Sequence, residues 1–152
     1  MAKRYWIMKS EPSEFGITDL EQKGESLWDG IRNYQVRNLI RDVMRVGDKA
    51  LFYHSSCKEV GVVGEMEIVG APLPDPTQFD PKSHYYDPKS LRENPRWLAT
   101  PVRHISSWSR TVTLQELRTN SALKNLTILK AGNRLSITEI SKEEYTVIKQ
   151  LQ

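Results

Sequence analysis

The chain has 152 residues but one cysteine, Cys57, and three histidines, His54, His84 and His104. A single thiol forms no internal disulfide, and the histidines lack the spacing of a zinc site. No metal is therefore expected. Long apolar runs are missing too. Nothing approaches the roughly 20 residues that cross a bilayer, so no membrane partner is expected. Met1 to Trp6 leads directly into strand-like sequence, without the apolar stretch of a secretory signal. With the lone cysteine, this gives the expectation of a reducing, cytoplasmic setting, possible association with the nucleoid included. Glycine-rich phosphate loops and the nucleophile elbow are absent: there is no Gly-x-x-x-x-Gly-Lys-Ser/Thr, Gly-x-Gly-x-x-Gly or Gly-x-Ser-x-Gly. No cofactor and no catalytic residue is expected. One catalytic arrangement stays open, a triad drawn together in space from Ser55, His54 and Asp87.

Charge of one sign is not in great excess. Lys and Arg number 22 against 19 acids, a net charge of +3. Such mild basicity permits a polyanionic partner, whereas a protein living by phosphate contacts alone is usually more basic and more clustered. Arg32, Arg37, Arg41 and Arg45 form the one noticeable concentration. With 38% hydrophobic and 27% charged residues, the composition is that of a globular domain, and the length suits one domain over residues 1–152.

Several elements follow from local pattern. Tyr5 to Met8 reads as a buried strand, ended by the Lys9-Ser10-Glu11-Pro12 turn. Thr18-Asp19-Leu20-Glu21 has the spacing of a capping box, so a short helix stopping at Gly24 is expected. Val36, Leu39, Ile40 and Val43 form the apolar stripe of a second helix, while Tyr34, Arg37 and Arg41 occupy another face. Ala50 to His54 and Val60 to Val69 form a plausible hairpin. Gly61 and Gly64 within it point to a bulge or close backbone approach. Glu65 and Glu67 share a strand face, and a solvated edge explains them as well as any chemistry does.

Ala71 to Pro95 is crowded with prolines, but Phe79, Tyr85 and Tyr86 argue for an ordered loop packed on the body. Trp97 to Ile105 resumes as a strand. Thr113-Leu114-Gln115-Glu116 caps a helix to about Asn120, Arg134 to Ile140 alternates as a strand, and Ser141 to Glu144 caps a last helix whose inner face is Tyr145, Ile148 and Leu151. Five or six strands with short helices at both ends and no βαβ alternation define an α+β class, a small mixed or antiparallel β-barrel flanked by helices.

The segment from Leu27 to Asn38 carries the most chemistry. Trp28, Arg32, Asn33, Tyr34 and Arg37 are the side-chain types that stack on a heteroaromatic ring and read its edge. The competing reading is that Trp28 caps the core and the arginines form a solvated helix face. Asn33 suits both an N-cap and an amide donor–acceptor, and the helix N-terminus favours anions. In the Lys9-Ser10-Glu11 turn, Ser10 offers a donor and acceptor to a base edge and Lys9 a point charge for phosphate. Phe52-Tyr53-His54 could wall the same cavity, although period two puts Tyr53 opposite to its neighbours. Tyr85 and Tyr86 suit a lid, and Trp97 is the last aromatic with a pocket role. Trp108 reads as a surface or packing residue.

These stretches resemble the EVE-domain family: Tyr5 to Pro12, Trp28 to Asn38, Val46-Gly47-Asp48 with Phe52 to Ser55, Tyr85 to Ser90, Pro95-Arg96-Trp97, and Asn133 to Ser136. The resemblance covers nearly the whole chain in order. It implies a PUA-like fold related to the YTH domains, which hold a methylated base in an aromatic cage. It also implies a non-catalytic reader of modified nucleobases in DNA or RNA. Carried over by position, the base pocket comprises Trp6, Lys9, Ser10, Glu11, Trp28, Asn33, Tyr34, Arg37, Tyr53, His54, Tyr85 and Trp97. Lys9, Arg32, Arg37 and Arg41 would contact phosphates. The chain lacks the long basic N-terminal extension of nuclear members, so a bacterial stand-alone version is expected. Two other functions stay in view, a hydrolase of modified nucleosides or nucleic acid, and a general RNA-binding module.

Overall fold

The computed structural model describes residues 2–152. Its elements, in chain order, are β1 (Tyr5–Ser10), α1 (Ile17–Lys23), β2 (Glu25–Trp28), α2 (Tyr34–Asp42), β3 (Lys49–His54), β4 (Gly61–Ile68), β5 (Leu73–Pro74), β6 (Leu98–Thr113), α3 (Leu114–Thr119), β7 (Ile137–Ile140) and α4 (Lys142–Leu151). The strands form one seven-stranded sheet in the order β2-β6-β4-β3-β1-β7, with β5 paired to β6. The β1–β3 pair is parallel and the other pairs are antiparallel. Its ends, β2 and β7, do not pair with each other, so the sheet is an open form of the expected barrel.

Strand alternation sorts the core onto two faces. Trp6 and Met8 of β1 and Ala50 and Phe52 of β3 point to one side, where α1 and α2 add Leu20, Val36 and Ile40. Ile7, Leu51 and Tyr53 point to the other, against Leu117 of α3 and Tyr145 and Ile148 of α4. The central hairpin is β3–β4, and its glycines have identifiable jobs. A β-carbon on Gly61 would lie 2.2 Å from the Val112 carbonyl oxygen, and one on Gly64 would lie 2.3 Å from that of Ser106. At both places β6 crosses too closely for any side chain, and the β4–β6 register shifts between Val62 and Gly64.

Several local expectations differ from the structure, among them the strand expected from Arg134, which begins only at Ile137. α1 is capped at Gly16, whose N–H donates to the Asp19 carboxylate at 2.7 Å, so the box lies two residues earlier than Thr18 and Glu21. Glu65 is not on a solvated edge: β4 lies inside the sheet, and Glu65 is buried, accepting hydrogen bonds from Tyr145 and Ser106. β6 is far longer than expected, running on through Trp108 to Thr113, and β2 has no counterpart in the sequence reading. Asn33 does cap α2, accepting from the Val36 N–H at 3.0 Å, and Thr113 and Ser141 cap α3 and α4 with reciprocal Glu116 and Glu144.

The proline-rich segment is ordered by two buried polar side chains. Gln78 is fully buried. Its amide donates to the carbonyls of Asp75 and Trp97, and its oxygen accepts from the Ser90 hydroxyl and the Trp97 N–H. Every hydrogen-bonding position of that amide is filled. Asp75, also fully buried, accepts from Gly30 N–H, Arg32, and the Thr77 N–H and hydroxyl. The loop is thereby fixed against the turn that follows β2.

Candidate nucleobase-binding cleft

A cleft of about 530 Å³ opens where the sheet fails to close. One wall is β2 and its continuation, Ser26 to Ile31. The opposite wall is the Lys9-Ser10-Glu11 end of β1 with Arg134-Leu135-Ser136, which leads into β7. Phe15 and Glu14 come from the loop before α1, and Tyr85 comes from the proline-rich loop. The volume falls within the range of sites that enclose small ligands.

Aromatic side chains form part of the lining of this cleft, among polar and charged ones. Trp28 is 5% exposed and stands edge-on to Phe52 at 5.1 Å and to Phe15 at 6.4 Å. Tyr85 is held by its hydroxyl, which donates to Glu14 at 2.7 Å. Burial, then that carboxylate, push the Tyr85 phenol up to about 12, so it remains a neutral ring and a donor at ordinary pH. Six charged side chains line the cleft: Lys9, Lys23 and Arg134 against Glu11, Glu14 and Asp29. That balance suits a neutral heterocycle rather than a phosphate.

Lys9, Glu11, Lys23, Asp29 and Arg134 line the cleft without a side-chain ion pair among the described residues. Lys9 is half-buried, and desolvation lowers its pKa; its Nζ lies 5.7 Å from the centre of the Tyr53 ring. Asp29 has its carboxyl raised by desolvation first and by the Asp75 charge second, opposed by a hydrogen bond from its own backbone and by Arg32 and Lys23. The Ser10 hydroxyl, by contrast, donates to the Phe15 carbonyl at 2.7 Å.

Of the residues expected in the base pocket, the structure brings together Lys9, Ser10, Glu11, Trp28 and Tyr85. The other seven lie elsewhere. Trp6 is fully buried, with its Nε1 donating to Asp48 at 2.9 Å, a core pillar rather than a cage wall. Asn33 is occupied as the α2 cap. Tyr34 packs tilted against Trp97, ring centres 4.7 Å apart at 31°, and Arg37 covers the Tyr34 ring while donating to Asn38 and the Arg96 carbonyl. Trp97 is in turn held by Asp87, which accepts from its Nε1 at 2.8 Å. Tyr53 faces the second core, as its strand parity requires. His54 accepts the Ile17 N–H at 3.1 Å through Nε2, which, with Asp87 bound to Trp97, leaves the His54–Asp87 contact of a triad unmade.

The phosphate assignments change as well. Arg32 spends all five of its N–H donors inside the protein, on Tyr85 O twice, Ile31 O, Asp75 and Thr77. It is a clamp between β2 and the proline-rich loop and has no donor left for DNA. Arg41 is exposed on α2, paired with Asp42. Phe15, Asp29 and Arg134 were among the lining residues not named as site residues from the sequence. Asp29 and Arg134 stood in stretches that had drawn notice, Leu27 to Asn38 and Asn133 to Ser136.

An open mixed sheet of seven strands with short helices is the architecture of a PUA-like domain. The chain belongs to the EVE domain family, whose model matches residues 4–151. It is 39% identical to human thymocyte nuclear protein 1 over 97% of this chain and 73% of that protein. Among solved structures it is similar to a hypothetical protein from Leishmania major (41% identity, TM-score 0.95, covering 99% of this chain and 94% of that one). It is also similar to human THYN1 protein in complex with 5-methylcytosine-containing DNA (38% identity, TM-score 0.90, covering 98% and 97%).

Proposed function

We propose that this protein binds, without turning it over, a modified base swung out of DNA into the cleft between β2 and the β1–β7 end of the sheet. The observation that carries this is the grouping of Trp28, Phe15 and Tyr85 in one cavity of about 530 Å³ whose charged lining is balanced in sign. A flat ring gains from stacking and its edge from fixed hydrogen-bonding groups. The human relative crystallised with 5-methylcytosine DNA supports the same chemistry here. Lys23 and Arg134, which line the cleft, suit the flanking phosphates. Binding rather than hydrolysis is favoured by the engagement of His54 with Ile17 and of Asp87 with Trp97, which leaves the His54–Asp87 contact unmade.

The test is fluorescence anisotropy at one salt concentration, with matched oligonucleotides carrying cytosine or 5-methylcytosine, and RNA counterparts. The expected result is tighter binding of the methylated DNA, lost by about tenfold or more in Tyr85→Ala, since a stacked base is worth roughly 1–3 kcal/mol. Equal affinity for all strands with steep salt dependence would assign a general nucleic-acid binder instead.

A further inference from the structure

We infer that the hydrogen bond between Tyr85 and Glu14 is a latch across the cleft, and that it sets how fast a base enters and leaves. This rests on the base-binding reading of the cleft and gives that cleft its gate. Tyr85 and Glu14 both line the cavity but come from separate loops, the proline-rich segment and the turn before α1. The Tyr85 hydroxyl donates to Glu14 Oε2 at 2.7 Å, and His84 Nε2 lies 3.8 Å from Glu14 Oε1. The His84 and Tyr85 rings meet edge-on, 4.4 Å between centres. Both oxygens of one carboxylate therefore face neighbouring residues of the opposite loop.

Each loop is firmly held apart from that contact. The proline-rich loop is tied to the β2 turn by Gly30 N–H and Arg32 on Asp75, and by Arg32 on the Tyr85 carbonyl. The Tyr85 N–H donates to Ser83 Oγ at 3.0 Å. The turn before α1 closes on itself, the N–H groups of Glu14 and Phe15 both donating to the Glu11 carbonyl at 2.9 Å. Among the described residues, Glu14 makes the only hydrogen bond and ion pair joining residues 11–16 to residues 71–97. With the Tyr85 backbone fixed on both sides, rotation of its ring is enough to open the cleft. Glu14 is exposed, so water competes for its oxygens. A single hydrogen bond of that kind corresponds to a closed-to-open ratio of about threefold to tenfold.

A wall and a latch differ in kinetics. Losing a stacking contact raises dissociation and leaves association nearly unchanged. Losing a latch raises association as well, because a larger share of the free protein stands open. Glu14 is then a positioning residue that acts through Tyr85.

The experiment is stopped-flow anisotropy at low and high salt, with single-stranded DNA carrying cytosine or 5-methylcytosine at one position. Tyr85→Phe keeps the ring and the net charge and removes only the hydroxyl. Its association and dissociation rates with the methylated strand should both rise about threefold to tenfold at either salt concentration. Glu14→Ala should match it at high salt, where the gain from deleting a negative charge near a polyanion is screened. Glu14→Gln deletes the same charge but keeps an acceptor for the hydroxyl, so at high salt it should stay within about twofold of wild type. Association in Tyr85→Phe within about twofold of wild type, or Glu14→Gln as fast as Glu14→Ala at high salt, overturns the latch and leaves the base-binding reading intact. A wild type that binds both strands equally overturns that reading and the gate with it. Matched thermal melts verify that the variants are folded.

Discussion

Gly30 lies so close to Tyr85 that a β-carbon at residue 30 would sit 2.8 Å from Cζ of the Tyr85 ring. The same glycine has φ of +81°, a left-handed conformation that costs other residues about 1–2 kcal/mol. One residue thus meets two demands: it turns the chain out of β2, and it lets the aromatic wall of the cleft approach. Gly30→Ala should therefore lower the melting temperature by several degrees and weaken binding of a methylated oligonucleotide as Tyr85 is pushed aside. A variant with unchanged melting and unchanged affinity would show that the turn tolerates a side chain.

Arg32 and Asp75 make a second wager on stability. Asp75 is fully buried, and the Arg32 side chain is 22% exposed at their 3.0 Å contact. Removing the cation strands a buried carboxylate, for which losses of about 3–5 kcal/mol are usual. The partial exposure of Arg32 places the expected cost of Arg32→Met near the lower end, about 3 kcal/mol, or a fall of roughly 10 °C in melting temperature. Arg32→Lys should recover only part of this, because an ammonium cannot reproduce five donors in a planar fork. Calorimetric melts of the two variants check the order.

Much of the fold was legible because it is carried by short-range pattern. The stripe of Val36 and Ile40 with the Asn33 cap marks α2, and Thr113 with Glu116 marks α3. What escaped was non-local. Glu25 to Trp28 is a strand because Arg103 to Thr100 lie beside it, and nothing within its four residues states that. Trp6 has the composition of a cage wall, but Asp48, 42 positions away, claims its N–H. The most conspicuous cluster, Trp28 to Arg37, divides at Gly30. Trp28 faces the cleft, while Arg32, Tyr34 and Arg37 build the support beneath the proline-rich loop.

His54 gives the fold a defined acid sensitivity. Its Nε2 accepts the Ile17 N–H at the start of α1. Burial lowers its pKa from 6.5, only partly opposed by Asp19. Protonation would replace the acceptor with a donor facing a donor. The folded state thus binds the proton less readily than the unfolded chain. This contribution to stability is complete above about pH 6.5 and is lost as pH falls through the lowered folded value. Melting temperatures taken between pH 8 and pH 5 should show a wild-type decline that is reduced in His54→Gln, which retains an acceptor. Parallel pH profiles for the two proteins would remove His54 as the cause.

The last prediction separates the cations that touch DNA from those that hold the protein together. Each phosphate neutralised contributes roughly 0.9 to the slope of log affinity against log salt on duplex DNA, and about 0.7 on single strands. Lys23 and Arg134 line the cleft without a carboxylate partner among the described residues, Lys23 lying 5.7 Å from the Phe15 ring centre. Arg32 and Arg37 have their guanidinium groups turned to protein oxygens and rings. Arg134→Ala and Lys23→Ala should each weaken binding to methylated and unmethylated strands alike and reduce the salt slope by up to about one. Arg37→Ala should lower stability by releasing Tyr34 and the Arg96 carbonyl, with the slope unchanged once binding is measured well below the melting temperature. If instead the slope fell in Arg37→Ala and held in Arg134→Ala, the DNA path would run over α2 rather than across the cleft mouth. The rim assignment would then have to move there.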